Sequence, residues 1–210
     1  MPTSQVLIVG AGGHAKVVLD ALLLMGGYSP VVIDDNPALD GTTLLHVGIR
    51  APLDDSMFRD QYFHIAIGSN VARAKLFARF VRAGGKPLTI AHPTACISPH
   101  ACIADGVFIA ARAVVAPASR IESGVIVNHG AIIDHDCVVG QHAHIAPQAS
   151  LAGGVQIGEQ VMIGAGANIL PGLKIDSRAT VGAGAVLRND AGPDSLWAGV
   201  PAVLRKATAT

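Results

Sequence analysis

Asp134-His135-Asp136, inside the six-residue stretch IIDHDC, is the part of this chain best equipped for chemistry. An imidazole titrates near neutrality, so a histidine at an exposed turn suits the removal of a proton from an attacking nucleophile. The same position also suits a plain surface histidine, one of nine in the chain. Four histidines, His129, His135, His142 and His144, crowd into a short span, so a metal has to be weighed. Zinc needs three ligands converging at about 2 Å, and His100 with His135 leaves the third unfilled. The three cysteines, Cys96, Cys102 and Cys137, match neither a disulfide framework nor a CxxC metal motif.

A second group lies near the start. Gly10, Gly12 and the near miss at Ala15 approximate the GxGxxG/A turn of dinucleotide sites, and Asp34 follows at the distance of a ribose-binding acid. By itself this reads as a nicotinamide dinucleotide site, or simply as a tight strand-to-helix turn. Fewer than a hundred residues precede the repeats described next, too few for the full dinucleotide fold.

The elements that would carry these residues fall into two grammars. Residues 1–94 alternate short apolar runs with helical spacings. Strands are expected at residues 6–9, 31–33 and 64–67, with helices over 15–24 and 72–83, each closed by a glycine pair. This predicts a small Rossmann-like parallel α/β domain, whose ligands sit beyond the carboxyl ends of its strands. Residues 95–210 change period. From Cys96 the chain divides into sixteen consecutive six-residue units, with Ile, Val or Leu at every second position and a mostly small residue at every sixth. Such an array is a solenoid in which three units close one triangular coil, and coils stack at about 4.8 Å. The residues around Trp197 and Pro201 are placed to cap its end.

In this frame His135 holds the fourth, corner position of its unit. Gly153 follows eighteen residues later, one coil above, with a backbone N–H suited to an oxyanion. A corner glycine needing positive φ is an equally good reading of it. His144 begins a unit and points outward from a flat face, half a coil from His135, so the two should not meet within one subunit. Cys137 takes an inward sixth position, which argues against an acyl-enzyme.

GAGGHAKVV near the start, IDD, IGSN, IIDHDC, HIAPQASLAGGV and a terminal GVPA together resemble the sugar O- and N-acetyltransferases related to NeuD and PglD. The resemblance runs from about Val6 to Pro201. It implies a left-handed parallel β-helix, acetyl-CoA as co-substrate without a metal, and a homotrimer with active sites between subunits. It makes His135 the catalytic base, with Asp136 orienting its ring, and makes His144, Ala165 and Ala183 contacts to acetyl-CoA. Gly12, Gly13 and His14 would face the phosphate and sugar, Asp34 and Asp35 the nucleoside, and Gly68 would add a backbone contact. The implied acceptor is a nucleotide-linked 4-amino-4,6-dideoxy sugar, on UDP first, with GDP or dTDP as variants. O-acetylation of sialic acid is the alternative within the same machinery.

Two rival readings share the β-helix. The γ-type carbonic anhydrases use a His-x4-His pair, which this sequence lacks. A non-catalytic nucleotide-sugar sensor would leave the DHD corner without purpose. Fifteen basic residues balance fifteen acidic ones, so nothing favours nucleic acid or an anionic membrane as a partner. His14, Lys16 and Asp20 interrupt the first apolar stretch, which therefore reads as neither a signal peptide nor a membrane span. The expectation is a reduced, soluble, cytoplasmic protein.

Overall fold

In the computed structural model residues 4–207 are described. The chain opens with β1 (Ser4–Val9), α1 (Gly13–Met25) and β2 (Tyr28–Ile33), followed by a short hairpin of β3 (Thr43–Leu44) and β4 (Val47–Arg50). Then come β5 (Tyr62–Ile65), α2 (Asn70–Arg82) and β6 (Lys86–Pro87). The sheet order is β3-β4-β2-β1-β5-β6, with β1 parallel to both β2 and β5. Both faces of β1 are covered, as a central parallel strand requires. Leu7 and Val9 pack with Ile33, Phe58, Phe63 and Phe80 on one side. Val6 and Ile8 pack with Val18, Leu19 and Leu22 of α1 on the other. Each helix begins two residues earlier than its apolar spacing suggests. Ser69 starts α2 by accepting the Ala72 N–H on its hydroxyl.

The chain crosses from one architecture to the next in a few residues. Leu88 N–H still bonds Phe63 of the α/β sheet, and Ile90 N–H already bonds Val107. The strand β7 (Ile90–Ala91) therefore opens the solenoid, one unit ahead of the run seen in the sequence. That first unit is hidden because its second position is Ala91, which breaks the column of Ile, Val and Leu.

Sixteen two-residue strands follow, from Cys96–Ile97 to Val186–Leu187, forming three parallel sheets. The first thirteen each pair with the strand eighteen residues on, as Ile132 does with Ser150 and His144 with Met162. The second and sixth positions fill the interior. Ile109, Ile121, Ile133, Ile145 and Ile163 are fully buried there, among Ala113, Ala131 and Ala149. The fifth position has positive φ in all fourteen units from Gly106 to Gly184. Glycine supplies it in half of them, and Asp136, His142 and Gln148 are among the others. The upper end is closed by Ser195–Ala198, parallel to Thr180–Val181 and antiparallel to Val203–Ala207, with Trp197 packed on the core.

The two architectures share one apolar seam. Phe108, Ala110 and Ile126 stand on the outer side of the first β-helix face and are buried by the α/β domain, in the same cluster as Val18, Leu19 and Leu22. No helix among the described residues is long and apolar enough to cross a membrane.

Candidate active site

The corner at His135 is built by the alternation of its unit. Ile133 points inward and Cys137 returns inward, which forces residues 134–136 around the outside edge. Asp136 takes the left-handed conformation of its column (φ 60°), which aspartate tolerates better than most residues. This turns its carboxylate back on its neighbour, and Asp136 Oδ2 lies 2.7 Å from His135 Nδ1. Asp134 Oδ1 accepts the His135 backbone N–H at 2.7 Å and fixes the turn from the other side. With Nδ1–H given to Asp136, the Nε2 lone pair is left facing outward. The hydrogen bond to Asp136, and then the charge of Asp134, hold the His135 pKa above its ordinary 6.5.

Gly153 stacks directly over this ring, its neighbour Gly154 donating N–H to the His135 carbonyl at 2.9 Å. A Cβ on Gly153 would stand 2.5 Å from both Cε1 and Nε2 of His135. The left-handed residue is Gly154 (φ 73°), so Gly153 is glycine for want of space and not for conformation. Among the described residues its N–H has no hydrogen-bond acceptor. Base and donor thus share one open edge, with 61% of the His135 side chain exposed. Cys137 is fully buried, its thiol 3.3 Å from the Ala152 carbonyl and its pKa raised by burial.

Ala165 and Ala183 also stack on each other, the Gly184 N–H bonding the Ala165 carbonyl at 2.8 Å. They follow the first face of the triangle, whereas His135 and Gly153 follow the second. One chain does not bring these two edges together.

His144 stands on the outer side of its flat face, as its place in the unit indicates. The α/β domain covers it, leaving it 9% exposed, with its ring 6.3 Å from that of His14. His14, the second residue of α1, packs edge-on against Phe108 at 5.5 Å. The spacing identified the face correctly as outward but could not show what docks there. Asn128, which the sequence reading passed over, places its Nδ2 3.0 Å from His144 Nε2. The orientation is fixed because Asn128 Oδ1 already accepts the His129 N–H. Burial first, and then nearby positive charge, lowers His14 to about 3 and His144 to about 4. Both rings are neutral at physiological pH.

The remaining predicted contacts collect at the carboxyl ends of β1, β2 and β5. Gly10 (φ 105°) ends β1 against Ala66 and Ile67, where a Cβ would meet Ile67 at 3.0 Å. Gly12 caps α1, Gly13 and His14 open it, and Gly68 lies three residues beyond β5. A cavity of about 70 Å³ there is lined by Gly10, Asp34, Asp35, Ile67 and Arg79. Asp34 is already occupied: its Oδ2 accepts the Ala11 N–H at 2.8 Å and its Oδ1 the Asn36 N–H at 3.0 Å. It locks the glycine turn, and Asp35 is the freer carboxylate. Arg79 is a further lining residue with no signal in the sequence beyond its place on a helix. Among the described residues, no three His, Cys, Asp or Glu side chains are grouped to hold a metal ion.

The PglD N-terminal domain model matches residues 5–80, and the bacterial transferase hexapeptide model (six repeats) matches residues 154–189. The structure of PerB from Caulobacter crescentus, in complex with CoA and GDP-perosamine, is 34% identical over 98% of this chain and 99% of that one, with a TM-score of 0.89. The acetyltransferase domain of PglB from Neisseria gonorrhoeae is 33% identical over 96% and 99%, with a TM-score of 0.87. The chain belongs to the NeuD/PglD-like sugar acetyltransferase family. Its solenoid is accordingly the left-handed parallel β-helix of that family, carried behind an α/β domain of the PglD type.

Proposed function

We propose that the chain is an acetyl-CoA-dependent N-acetyltransferase acting on the 4-amino group of a nucleotide-linked 4-amino-4,6-dideoxy sugar. The observation that carries this reading is the His135–Asp136 pair at 2.7 Å beneath the unpartnered N–H of Gly153, on an exposed edge. The relatives solved with CoA and GDP-perosamine support the same substrates.

The chemistry follows from the geometry. The neutral amine attacks the thioester carbonyl, and His135 Nε2 accepts the proton it sheds. Asp136 holds the ring and stabilises the imidazolium that forms. The Gly153 N–H meets the oxygen as its charge develops, and the tetrahedral intermediate collapses with loss of CoA thiolate. In this reading Gly12, Gly13 and His14 face the phosphates and sugar, Asp35 beside Asp34 faces the nucleoside, and Gly68 adds a backbone contact. His144, Ala165 and Ala183 would line the acetyl-CoA path. His135 and the alanines lie on different edges of one β-helix, so a complete site calls for a neighbouring subunit, and a homotrimer with sites between subunits supplies it. Such a product belongs to glycan assembly in the cytoplasm.

The test is thiol release from acetyl-CoA with GDP-, UDP- and dTDP-linked 4-amino-6-deoxy sugars. The His135→Ala enzyme should be slower by about two to four orders of magnitude. Absence of release with every one of these sugars would sink the assignment.

A further inference from the structure

Arg73, in the first turn of α2, is 1% exposed, and among the described residues no carboxylate accepts from it. Its donors fan out to backbone carbonyls on both sides of the seam. Nη1 reaches Ile67 at 3.0 Å and Gly68 at 3.1 Å, beyond the end of β5 and beside the small cavity lined by Asp34 and Asp35. Nε reaches Gly124 at 2.8 Å, and Nη2 reaches His142 at 2.6 Å and Ala143 at 3.3 Å. Gly124 and His142 are stacked on successive coils, immediately before the coil face that carries His144. The last acceptor is Asn70 Oδ1 at 2.8 Å. Asn70 in turn donates to the Gln160 and Val161 carbonyls, one coil higher, at 2.9 and 3.1 Å.

Adhesion does not need this arrangement. The seam already buries Val18, Leu22, Phe108 and Ile126. A cation buried without a counter-ion is a costly addition to an apolar contact. What a guanidinium adds is direction: five N–H donors in one rigid plane accept only one relative placement of the groups they bind.

We propose that Arg73 is a positioning residue for acetyl transfer, fixing the height and angle at which the nucleotide-sugar domain stands on the β-helix. The inference rests on the transfer reaction proposed above. Arg73 does not itself line the cavity between Gly10 and Arg79, so losing it should lower kcat well beyond any loss of nucleotide affinity, because the acceptor amine arrives misplaced.

The experiment compares wild type, Arg73→Met, Arg73→Lys and Asn70→Ala. It records kcat, both KM values and nucleotide diphosphate affinity by calorimetry. A misplacement of an ångström lowers catalysis by about a hundredfold, so kcat of Arg73→Met should fall at least tenfold with calorimetric affinity within about twofold. Lysine should restore part of kcat, and Asn70→Ala should fall between. A folded Arg73→Met enzyme with wild-type kcat, or a loss that simply follows nucleotide affinity, overturns the proposal. Should Arg73→Met not fold, wild-type kcat in Asn70→Ala does the same.

A second readout is independent of turnover. Spin labels on Cys102 and on Arg82→Cys, in a Cys96→Ser background with labelled chains diluted into unlabelled ones, report the distance between the domains. The distribution should broaden in Asn70→Ala and Arg73→Met, and an unchanged distribution overturns the proposal. If wild type transfers no acetyl group while the distribution still broadens, the functional reading fails and the positioning role stands.

Discussion

The imidazole of His135 fills the space into which a side chain on Gly153 would grow, with only 2.5 Å between the position of that Cβ and Nε2. Base and oxyanion donor are therefore coupled sterically as well as chemically. Gly153→Ala should push the ring away from its alignment with Asp136 and cost about a hundredfold in kcat, while thermal stability changes little. The adjacent Gly154→Ala should do the reverse. Its backbone is left-handed, so about 1–2 kcal/mol of stability is lost. Denaturation curves and thiol-release rates on the two variants check the contrast.

The pH profile should carry the mark of Asp136. His135 works as a base only when neutral, and its pKa is raised above 6.5. The acid limb of kcat/KM should therefore inflect above 6.5, with activity falling as the ring is protonated. Asp136→Asn removes the largest cause of the shift and should move the limb downward. The return stays partial, because Asp134 still contributes its charge. Linkage gives a second sign: the pair's stabilising effect is fully present below pH 6.5 and is lost as pH rises through the raised folded value. An acid limb that Asp136→Asn leaves in place would contradict this account.

Acid should weaken the fold through a different set of rings. Burial lowers His14 to about 3 and His64, His142 and His144 to about 4. The unfolded chain binds these protons near 6.5, so stability is complete above that pH and declines steadily towards pH 4. His64, fully buried with Nδ1 on the Leu88 carbonyl at 2.8 Å, contributes on the order of 3 kcal/mol to that decline. Urea midpoints measured from neutral pH to about pH 5 should fall, and His64→Gln should flatten the slope.

Phe108 joins the two architectures mechanically. It is fully buried, edge-on to His14 and 6.0 Å from His64. Phe108→Ala should cost about 3–5 kcal/mol, read as a shift in the chemical denaturation midpoint. A separate early transition of the α/β domain would mark the seam as its main support.

Much of this was legible in the residues because the β-helix writes its core as a literal repeat. Each coil repeats one inward column, so Ile133, Leu151 and Ile169 announce one another, and His135 and Gly153 fall into stack by counting. The fifth-position column escaped notice because its occupants share no chemistry: Gly130, Asp136, His142 and Gln148 have only a backbone conformation in common. Gly153 was ambiguous for a related reason, since sequence does not separate a glycine needed for φ from one needed for room. Contacts across the seam were least visible. His144 was assigned to the right face, but docking of a distant domain decides whether a face is open. Nothing in the sequence sets Arg73 apart from the other polar residues of its helix, and only its surroundings turn it inward.

The clamp that Arg73 makes on Gly124 and His142 also limits how such a molecule can grow. Those carbonyls are eighteen residues apart and one rung apart in space, and His135 lies on the stretch of chain between them. A whole extra coil spliced in above Leu187 would move the cap up by one rung and leave the rungs at Gly124 and His142 as they are. The same insertion between Gly124 and His142 would put a second rung between the two carbonyls, moving them about 4.8 Å further apart, beyond the span of one guanidinium. Length is therefore free to vary at the capped end of this scaffold and frozen at the rungs that hold its base.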